Sequence, residues 1–188
     1  MKRWMLALVA IPALTAAAVI APKQYVRDQA HSQLNFVAES RMLDAHGTFD
    51  KWDADISLDP ANWGASSVVI TIDTRTINTR IERRDAHLKS PDFFAADSFP
   101  TATFTSTIVN KVGEDRLNIT GDLTIRGKTK RVTLPTRLVF FDAARSVGRV
   151  KGETVINRKD YGINFDSNMN PISDEVKIQF DVAFTEKK

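Results

Sequence analysis

The chain of 188 residues contains no cysteine. This absence excludes disulfides, thiolate metal sites, covalent c-type haem attachment and cysteine nucleophiles, so packing alone must stabilise the fold. No linker, internal repeat or low-complexity tract divides the sequence. After removal of the N-terminal segment described below, the remaining length matches one domain.

The chain also lacks the usual signatures of an enzyme. It has no Gly-x-Ser-x-Gly elbow, no phosphate-binding glycine loop and no dinucleotide fingerprint. Ser32 follows His31, but neighbouring residues of a strand point to opposite faces and cannot act as nucleophile and base. Asp53 and Asp55 share the polar face of their strand, where solvation is the ordinary interpretation. We therefore expect a protein without catalytic activity and without a cofactor.

Histidine is scarce and scattered, with only His31, His46 and His87. No two of them have the short spacing that places a pair of metal ligands on one element, so no metal site is predicted. We expect His31 and His87 to form hydrogen bonds that fix loops, and His46 to lie on a strand surface or in a turn.

The first 21 residues form a separate segment. Lys2 and Arg3 precede an uncharged run from Trp4 to Ala21 that ends in small residues. This arrangement is typical of a secretory signal peptide at residues 1–18, which leaves a mature domain at residues 19–188. An uncleaved anchor is the alternative, since about eighteen apolar residues is the lower limit for spanning a bilayer. Export without cysteine indicates a soluble periplasmic protein.

Removal of the signal peptide leaves little net charge. The 26 basic residues become 24 when Lys2 and Arg3 are lost, against 23 acidic residues, so the net charge falls from +3 to +1. A nucleic-acid-binding protein would be expected to carry an excess of Lys and Arg or a basic stripe. The sequence shows neither, and we exclude that class of partner.

Alternation of apolar and polar residues is the main structural signal. From Val176 to Phe184, and again from Leu117 to Ile125, every second residue is apolar with few exceptions. This period is typical of antiparallel strands with one solvated face. We predict strands at residues 24–28, 33–40, 45–58, 66–74, 101–112, 115–126, 129–141, 145–157 and 175–185.

One short helix is predicted between Asn78 and Phe94, and it ends at Ser90-Pro91 because the residue before proline avoids helical angles. Its apolar content is too small to cover a sheet. The sheet must then cover its own apolar face, either by closing into a barrel or by stacking as a two-layer sandwich. We favour closure, and thus an all-β antiparallel barrel of about eight or nine strands.

Five motifs occur in order along the chain: Tyr25-x-x-Asp28-x-x-His31-Ser32, Gly47-x-Phe49, Arg83-Arg84-Asp85-x-His87-Leu88-Lys89-Ser90-x-Asp92-Phe93-Phe94, Gly121-Asp122-Leu123-Thr124-Ile125-Arg126-Gly127 and Asn157-Arg158-x-Asp160-Tyr161-Gly162. Together they resemble the YceI-like family of exported proteins. The resemblance implies a lipocalin-like barrel that binds polyisoprenoid lipids, with an expected link to the envelope stress response. One departure is the stretch Val37 to Ser40, where many members carry a histidine.

The resemblance implies that the protein binds, sequesters or transports a long-chain amphiphile, such as a polyisoprenoid or prenyl quinone, in an apolar lumen. From the apolar phase of each strand and the aromatic residues of the loops we select ligand-binding candidates: Phe36, Phe49, Ile70, Ile72, Phe93, Phe94, Phe104, Leu123, Ile125, Leu134, Tyr161, Ile178 and Phe180. The polar candidates at the mouth of the barrel are Arg84, Asp85 and His87. They either form an ion pair that fixes a loop beside aromatic side chains closing the barrel end, or contact the head group of the ligand.

Two other functions remain open at this point. The barrel could hold a lipid substrate for hydrolysis or isomerisation, or it could be a packed, ligand-free stress or interaction protein. A lipid carrier would contact a membrane transiently while it takes up its ligand. Unpaired strand edges would support a homodimer, and closed edges a monomer.

Overall fold

The computed structural model describes residues 22–188, so the signal peptide predicted at residues 1–18 lies outside the described part of the chain. The strand segments are β1 (Lys23–Arg27), β2 (Gln33–Ser40), β3 (Ala45–Phe49), β4 (Trp52–Leu58), β5 (Ser67–Asp73), β6 (Ile77–Asn78), β7 (Thr101–Lys111), β8 (Arg116–Ile125), β9 (Lys128–Asp142), β10 (Val147–Asn157) and β11 (Ile172–Glu186). The helix α1 is Glu82–Lys89, and short 3-10 turns cover Gln29–His31, Trp63–Ala65, Thr74–Thr76 and Arg158–Tyr161.

The strands form one antiparallel sheet that closes on itself. Three consecutive pairs of segments each occupy one position in the sheet: β1 with β2, β3 with β4, and β5 with β6. β1 and β2 both pair with β11, and on their other side they pair with β4 and β3, which in turn pair with β5 and β6. β11 pairs with β10 on one side and with β1 and β2 on the other, which closes the ring. The predicted antiparallel barrel of about eight or nine strands is therefore confirmed, with eight positions around the ring.

Two local features differ from the prediction. The strand expected at residues 45–58 is broken at Asp50 and Lys51, whose amides bond to the carbonyl and hydroxyl oxygens of Thr76 instead of continuing the ladder. The predicted strands 115–126 and 129–141 leave residues 127–128 as the connecting turn, but the turn lies one residue earlier, at Arg126-Gly127. Both turn residues have positive φ, 51° and 68°, as the tight hairpin turn that matches strand twist requires.

The predicted helix is confirmed as α1, within the long connection from β6 to β7. It ends at Lys89, and Ser90, directly before Pro91, caps it by donating its amide to the His87 carbonyl. Near its N-terminus the Asp85 carboxylate accepts a hydrogen bond from the Thr79 amide at 2.8 Å. Leu88 packs against the apolar residues inside the barrel, so α1 lies over one end of the ring.

The two ends of the barrel are therefore different. The helical end carries α1, the β2–β3 loop (residues 41–44), the β8–β9 turn and the β10–β11 connection (residues 158–171). The far end carries Lys23, the β4–β5 loop and Glu186. Within residues 22–188 no helix combines the length and hydropathy needed to cross a bilayer.

Candidate functional site

The interior of the barrel contains two cavities, one toward each end. The helical-end cavity has a volume of about 130 Å³ and the far-end cavity about 80 Å³. Ile72 and Ile178 line the first, whereas Ile70 and Phe180, two residues along the same strands, line the second. Because alternate residues of a strand face the same side, the cavities lie one behind the other along the barrel axis.

The structure places the predicted ligand-binding residues on the inner face of the barrel and of the segments that cover it. The wall of the helical-end cavity includes Phe36, Phe49, Ile72, Phe93, Phe94, Leu123, Ile125, Tyr161 and Ile178. The wall of the far-end cavity includes Ile70, Leu134 and Phe180. Phe104 lies in neither wall; it is buried between its strand neighbours Ile70 and Leu123, at the level where the two cavities meet. Whether these residues bind a ligand stays a prediction.

Four phenylalanine rings of the barrel interior lie over glycine residues of neighbouring strands. Phe36, Phe180 and Phe184 face Gly47, Gly152 and Gly148 as direct cross-strand partners, and Phe104 lies over Gly121. At each of these glycines a Cβ atom would overlap the neighbouring ring. The absence of a side chain thus gives each ring a place against the wall and keeps the lumen open.

Several wall residues were missing from the prediction. Leu88 on α1 and Ile163 and Ile172 in the β10–β11 connection close the helical-end cavity. The alternation that identifies strand residues does not identify these three, because they belong to segments that fold over the end of the barrel. Val182 and Phe184 line the far-end cavity and continue the alternation of Ile178 and Phe180, so the sequence did contain a signal for them.

A third cavity of about 190 Å³ lies beside the helical-end cavity, and we call it the mouth. It lies between α1, the β2–β3 loop and the β10–β11 connection. Its wall shares Phe36, Leu88 and Phe93 with the helical-end cavity. Two of the polar candidates, Arg84 and His87, line it as well. The mouth therefore combines an apolar wall with two polar side chains.

Arg84 and Asp85 both bind Thr79 rather than each other. Arg84 donates from Nε to the Thr79 hydroxyl at 2.8 Å and from Nη2 to the Thr79 carbonyl at 3.0 Å. Asp85 accepts from the Thr79 hydroxyl and amide. These contacts staple the start of α1 to the end of β6. Asp85 does not reach the mouth, and a head-group contact by this residue stays a prediction.

His87 belongs to an aromatic plug beside the mouth. Its Nε2 lies 2.9 Å from the Asp92 carboxylate. Its ring meets Phe93 and Phe165 edge to face, with centroid distances of 5.0 Å and 4.7 Å. The histidine thus links α1 to the β10–β11 connection, and its exposed edge remains available at the mouth.

Arg158 was not selected from the sequence, yet it holds the β10–β11 connection in place. Its side chain is 4% exposed and donates to the carbonyl oxygens of Ser173, Ile163, Phe165 and Ile172 and to the Asp174 carboxylate. These bonds satisfy a buried charge with backbone oxygens. Arg158 also lines the helical-end cavity, so it fixes the loop that forms part of that wall.

Tyr161 follows Arg158 by one 3-10 turn and is 1% exposed. Burial, with a smaller effect of the nearby Asp160 charge, raises the pKa of the Tyr161 phenol to about 12. The phenol is therefore neutral at physiological pH. It contributes to the wall of the helical-end cavity as an uncharged aromatic side chain.

The other polar residues weighed in the sequence lie apart from the lumen. His31 ends a 3-10 turn, is exposed and pairs with Asp28 at 2.8 Å, whereas the Ser32 hydroxyl bonds to the Ala183 backbone between strands. Asp53 and Asp55 are exposed, as their polar strand face predicts. Within residues 22–188 no three His, Asp or Glu side chains are grouped closely enough to hold a metal ion.

Comparisons with known proteins agree on one family. A YceI-like domain matches residues 25–184. Protein YceI of Salmonella newport is 36% identical over 178 residues, which cover 93% of this chain and 92% of that protein. A UPF0312 protein of Vibrio cholerae is 37% identical over 163 residues, 84% of each chain.

Solved structures show the same barrel. BcnA of Burkholderia cenocepacia superposes with a TM-score of 0.77 at 27% identity and covers 84% of this chain and 98% of its own. A polyisoprenoid binding domain from Saccharophagus degradans, implicated in plant cell wall breakdown, superposes with a TM-score of 0.69 at 19% identity, covering 88% and 99%. The resemblance read from the five motifs is confirmed: the chain belongs to the YceI-like family.

Proposed function

We propose that the protein is a non-catalytic carrier that binds an amphiphile by its long apolar tail, with a polyisoprenoid such as a prenyl quinone as the ligand. The observation that carries this proposal is the pair of apolar cavities in line along the barrel axis, with a mouth at one end. A related barrel, the Saccharophagus degradans domain, is described as polyisoprenoid binding. The shape of an elongated tail suits cavities in series better than a compact metabolite does.

The energetics support a tail-dominated affinity. Each buried methylene contributes about 0.8 kcal/mol, so an isoprene unit of five carbons contributes up to about 4 kcal/mol. Roughly five units would reach the practical limit near 20 kcal/mol, and ordering of the tail and the wall must offset part of this sum. The tail then sets the affinity, while Arg84 and His87 at the mouth set the preference for a head group.

Entry of such a tail requires side chains to move. The helical-end cavity of about 130 Å³ is near the size of a dry apolar cavity that admits one small apolar molecule. A longer tail must pass the level of Phe104 to reach the far-end cavity. We therefore expect rotamer changes in the half-buried residues around it, among them Ile70 and Phe180.

Native mass spectrometry of the protein purified from a bacterial periplasm without detergent tests the proposal. We expect one prenyl lipid per barrel, identified after organic extraction. A bare mass that persists after incubation with prenyl quinones would contradict a lumen carrier. The same spectrum tests the proposed export, because cleavage of residues 1–18 would leave Val19 as the first residue, whereas an uncleaved anchor would retain Met1.

A role in the envelope stress response is part of this proposal and has its own test. A carrier needed under envelope damage should become more abundant when the membrane is perturbed. Quantitative immunoblotting after osmotic or detergent stress measures this abundance. A constant level under all these conditions would argue for a housekeeping carrier.

A further inference from the structure

Three apolar side chains at the helical end are unusually exposed. Met169, Met42 and Leu43 have 82%, 72% and 69% of their surface accessible, the highest values among the large apolar residues of the described chain that are exposed. Single exposed apolar residues are common on soluble proteins, but a group at one place on the surface indicates an interaction site. These three lie on only two loops, the β2–β3 loop and the β10–β11 connection.

The two loops are joined by hydrogen bonds. The Met42 amide donates to the Asn170 side-chain oxygen at 2.9 Å, and the Arg41 amide donates to the Pro171 carbonyl at 3.1 Å. The Asn170 side-chain amide donates to the Ser40 hydroxyl at 3.2 Å. The apolar side chains therefore project from one preformed edge, which we call the methionine edge (Met42, Leu43 and Met169).

The methionine edge borders the mouth. Leu43 and Asn170 line the mouth together with Arg84 and His87, and the mouth shares its inner wall with the helical-end cavity. Exposed apolar surface thus leads to the mouth, and the side chains of the shared wall separate the mouth from the apolar lumen. A ligand whose tail is insoluble in water would need such a path when it leaves a membrane.

We propose that the methionine edge is a docking surface for a phospholipid bilayer, which places the mouth against the acyl chains so that the ligand enters without crossing water. This proposal rests on the carrier function proposed above. The charged residues of the β2–β3 loop, Arg41 and Asp44, have opposite signs. Docking therefore depends on insertion of apolar side chains rather than on attraction to anionic lipid, and it changes little with salt.

The test uses vesicles of phosphatidylethanolamine with a minor fraction of phosphatidylglycerol. The variant Met42→Ser/Met169→Ser, which leaves Leu43 in the wall of the mouth intact, is compared with the wild-type protein in two assays. The first is co-sedimentation with vesicles free of quinone, and the second is the rate at which a synthetic prenyl quinone passes from donor to acceptor vesicles. We expect both to fall by about tenfold or more, since withdrawal of one Leu or Met side chain from hydrocarbon already changes an equilibrium by about that factor.

A matched control removes two exposed apolar side chains from the far half of the barrel, by Ile108→Ser/Val112→Ser. We expect this variant to stay within about twofold of the wild type in both assays. The amount of quinone bound after delivery from ethanol, without vesicles, should be the same in all three proteins, because none of the four substituted residues lines the lumen or the mouth. That equilibrium measurement separates docking from binding capacity.

The outcomes distinguish the two proposals. A wild-type protein that holds no quinone after ethanol delivery refutes the carrier, while sedimentation with quinone-free vesicles still tests the methionine edge. A methionine-edge variant that sediments and transfers quinone like the wild type refutes the docking surface, as does a transfer rate independent of vesicle concentration. A change confined to the monomer–dimer equilibrium in analytical ultracentrifugation would assign the edge to a second copy of the chain and also overturn the proposal.

Discussion

The substitution Gly47→Ala should narrow the lumen without moving the backbone. A Cβ atom at residue 47 would lie 2.6 Å from Cε1 of Phe36 and 2.9 Å from Cγ2 of Thr79, and the atoms it would overlap belong to side chains. The Phe36 ring must then leave the wall of the barrel. The open space beside it is the helical-end cavity of about 130 Å³, which we expect the ring to enter.

The structure sets the size of both effects of Gly47→Ala. Overpacking a core costs about 1–3 kcal/mol, and the cost here should lie near the lower value because the ring has a cavity to enter. Inside the cavity the ring competes with about one isoprene unit, worth up to about 4 kcal/mol of tail burial. Since a tail can shift to recover part of this loss, we expect the affinity for a prenyl quinone to fall by about ten- to a hundredfold.

Equilibrium binding of a prenyl quinone and urea denaturation measure these two quantities for Gly47→Ala. Gly113→Ala is the control, because its Cβ would lie 3.6 Å from Cβ of Arg116, an ordinary contact far from the lumen. Adding Phe36→Leu to Gly47→Ala should restore most of the affinity by giving the space back. Unchanged affinity in Gly47→Ala, or a loss that Phe36→Leu does not relieve, would refute the reasoning.

Three other predictions concern the stability of the fold. Arg158→Gln should lower the free energy of unfolding by about 3–5 kcal/mol, because backbone carbonyls lose a buried charged partner. Urea denaturation measures this loss, and a value below about 1 kcal/mol would contradict the prediction. Hydrogen bonding to Arg149 lowers the pKa of the Asp181 carboxyl, so its contribution is present above the unfolded pKa near 4 and is lost as pH falls through the lower folded pKa. Asp181→Asn should therefore cost at most about 1 kcal/mol at neutral pH and nothing in strong acid, and a difference that persists in acid would refute the assignment. Phe180→Ala should lower the free energy of unfolding by less than the roughly 3–5 kcal/mol of a packed core site, because the ring already borders a cavity. The same substitution should reduce quinone retention. A larger loss of stability with unchanged retention would favour a packed barrel.

Much of the barrel could be predicted because its strands have one apolar face. The last strand, β11, shows the alternation from Val176 to Phe184, and nearly the whole chain follows the same rule. Strand breaks could not be predicted in this way. The kink at Asp50 and Lys51 exists because both amides bond to Thr76, on a neighbouring position of the closed sheet. That partner is defined only when the ring has formed.

The polar part of the site was harder to interpret than the apolar part. The sequence places Arg84, Asp85 and His87 within one turn of a helix, but it does not say which of them face inward. Thr79 decides this, because it binds Arg84 and Asp85 and turns the carboxylate away from the mouth. The role of Arg158 could not be predicted for a related reason. Its partners are backbone carbonyls, which every residue carries and no sequence pattern reveals.

The phenylalanines show why composition alone could not decide between a packed barrel and a lumen. A barrel of eight strands is just wide enough either to be filled by side chains or to hold one small ligand. Several phenylalanine rings that point inward would suggest a barrel filled by side chains. Each glycine on a neighbouring strand changes that expectation, because it allows a ring such as Phe180 to lie over its backbone instead of crossing the centre. The pairing of Phe180 with Gly152 follows from register, which joins residues far apart in the chain. Because the ring lies over this glycine, apolar space remains inside the barrel.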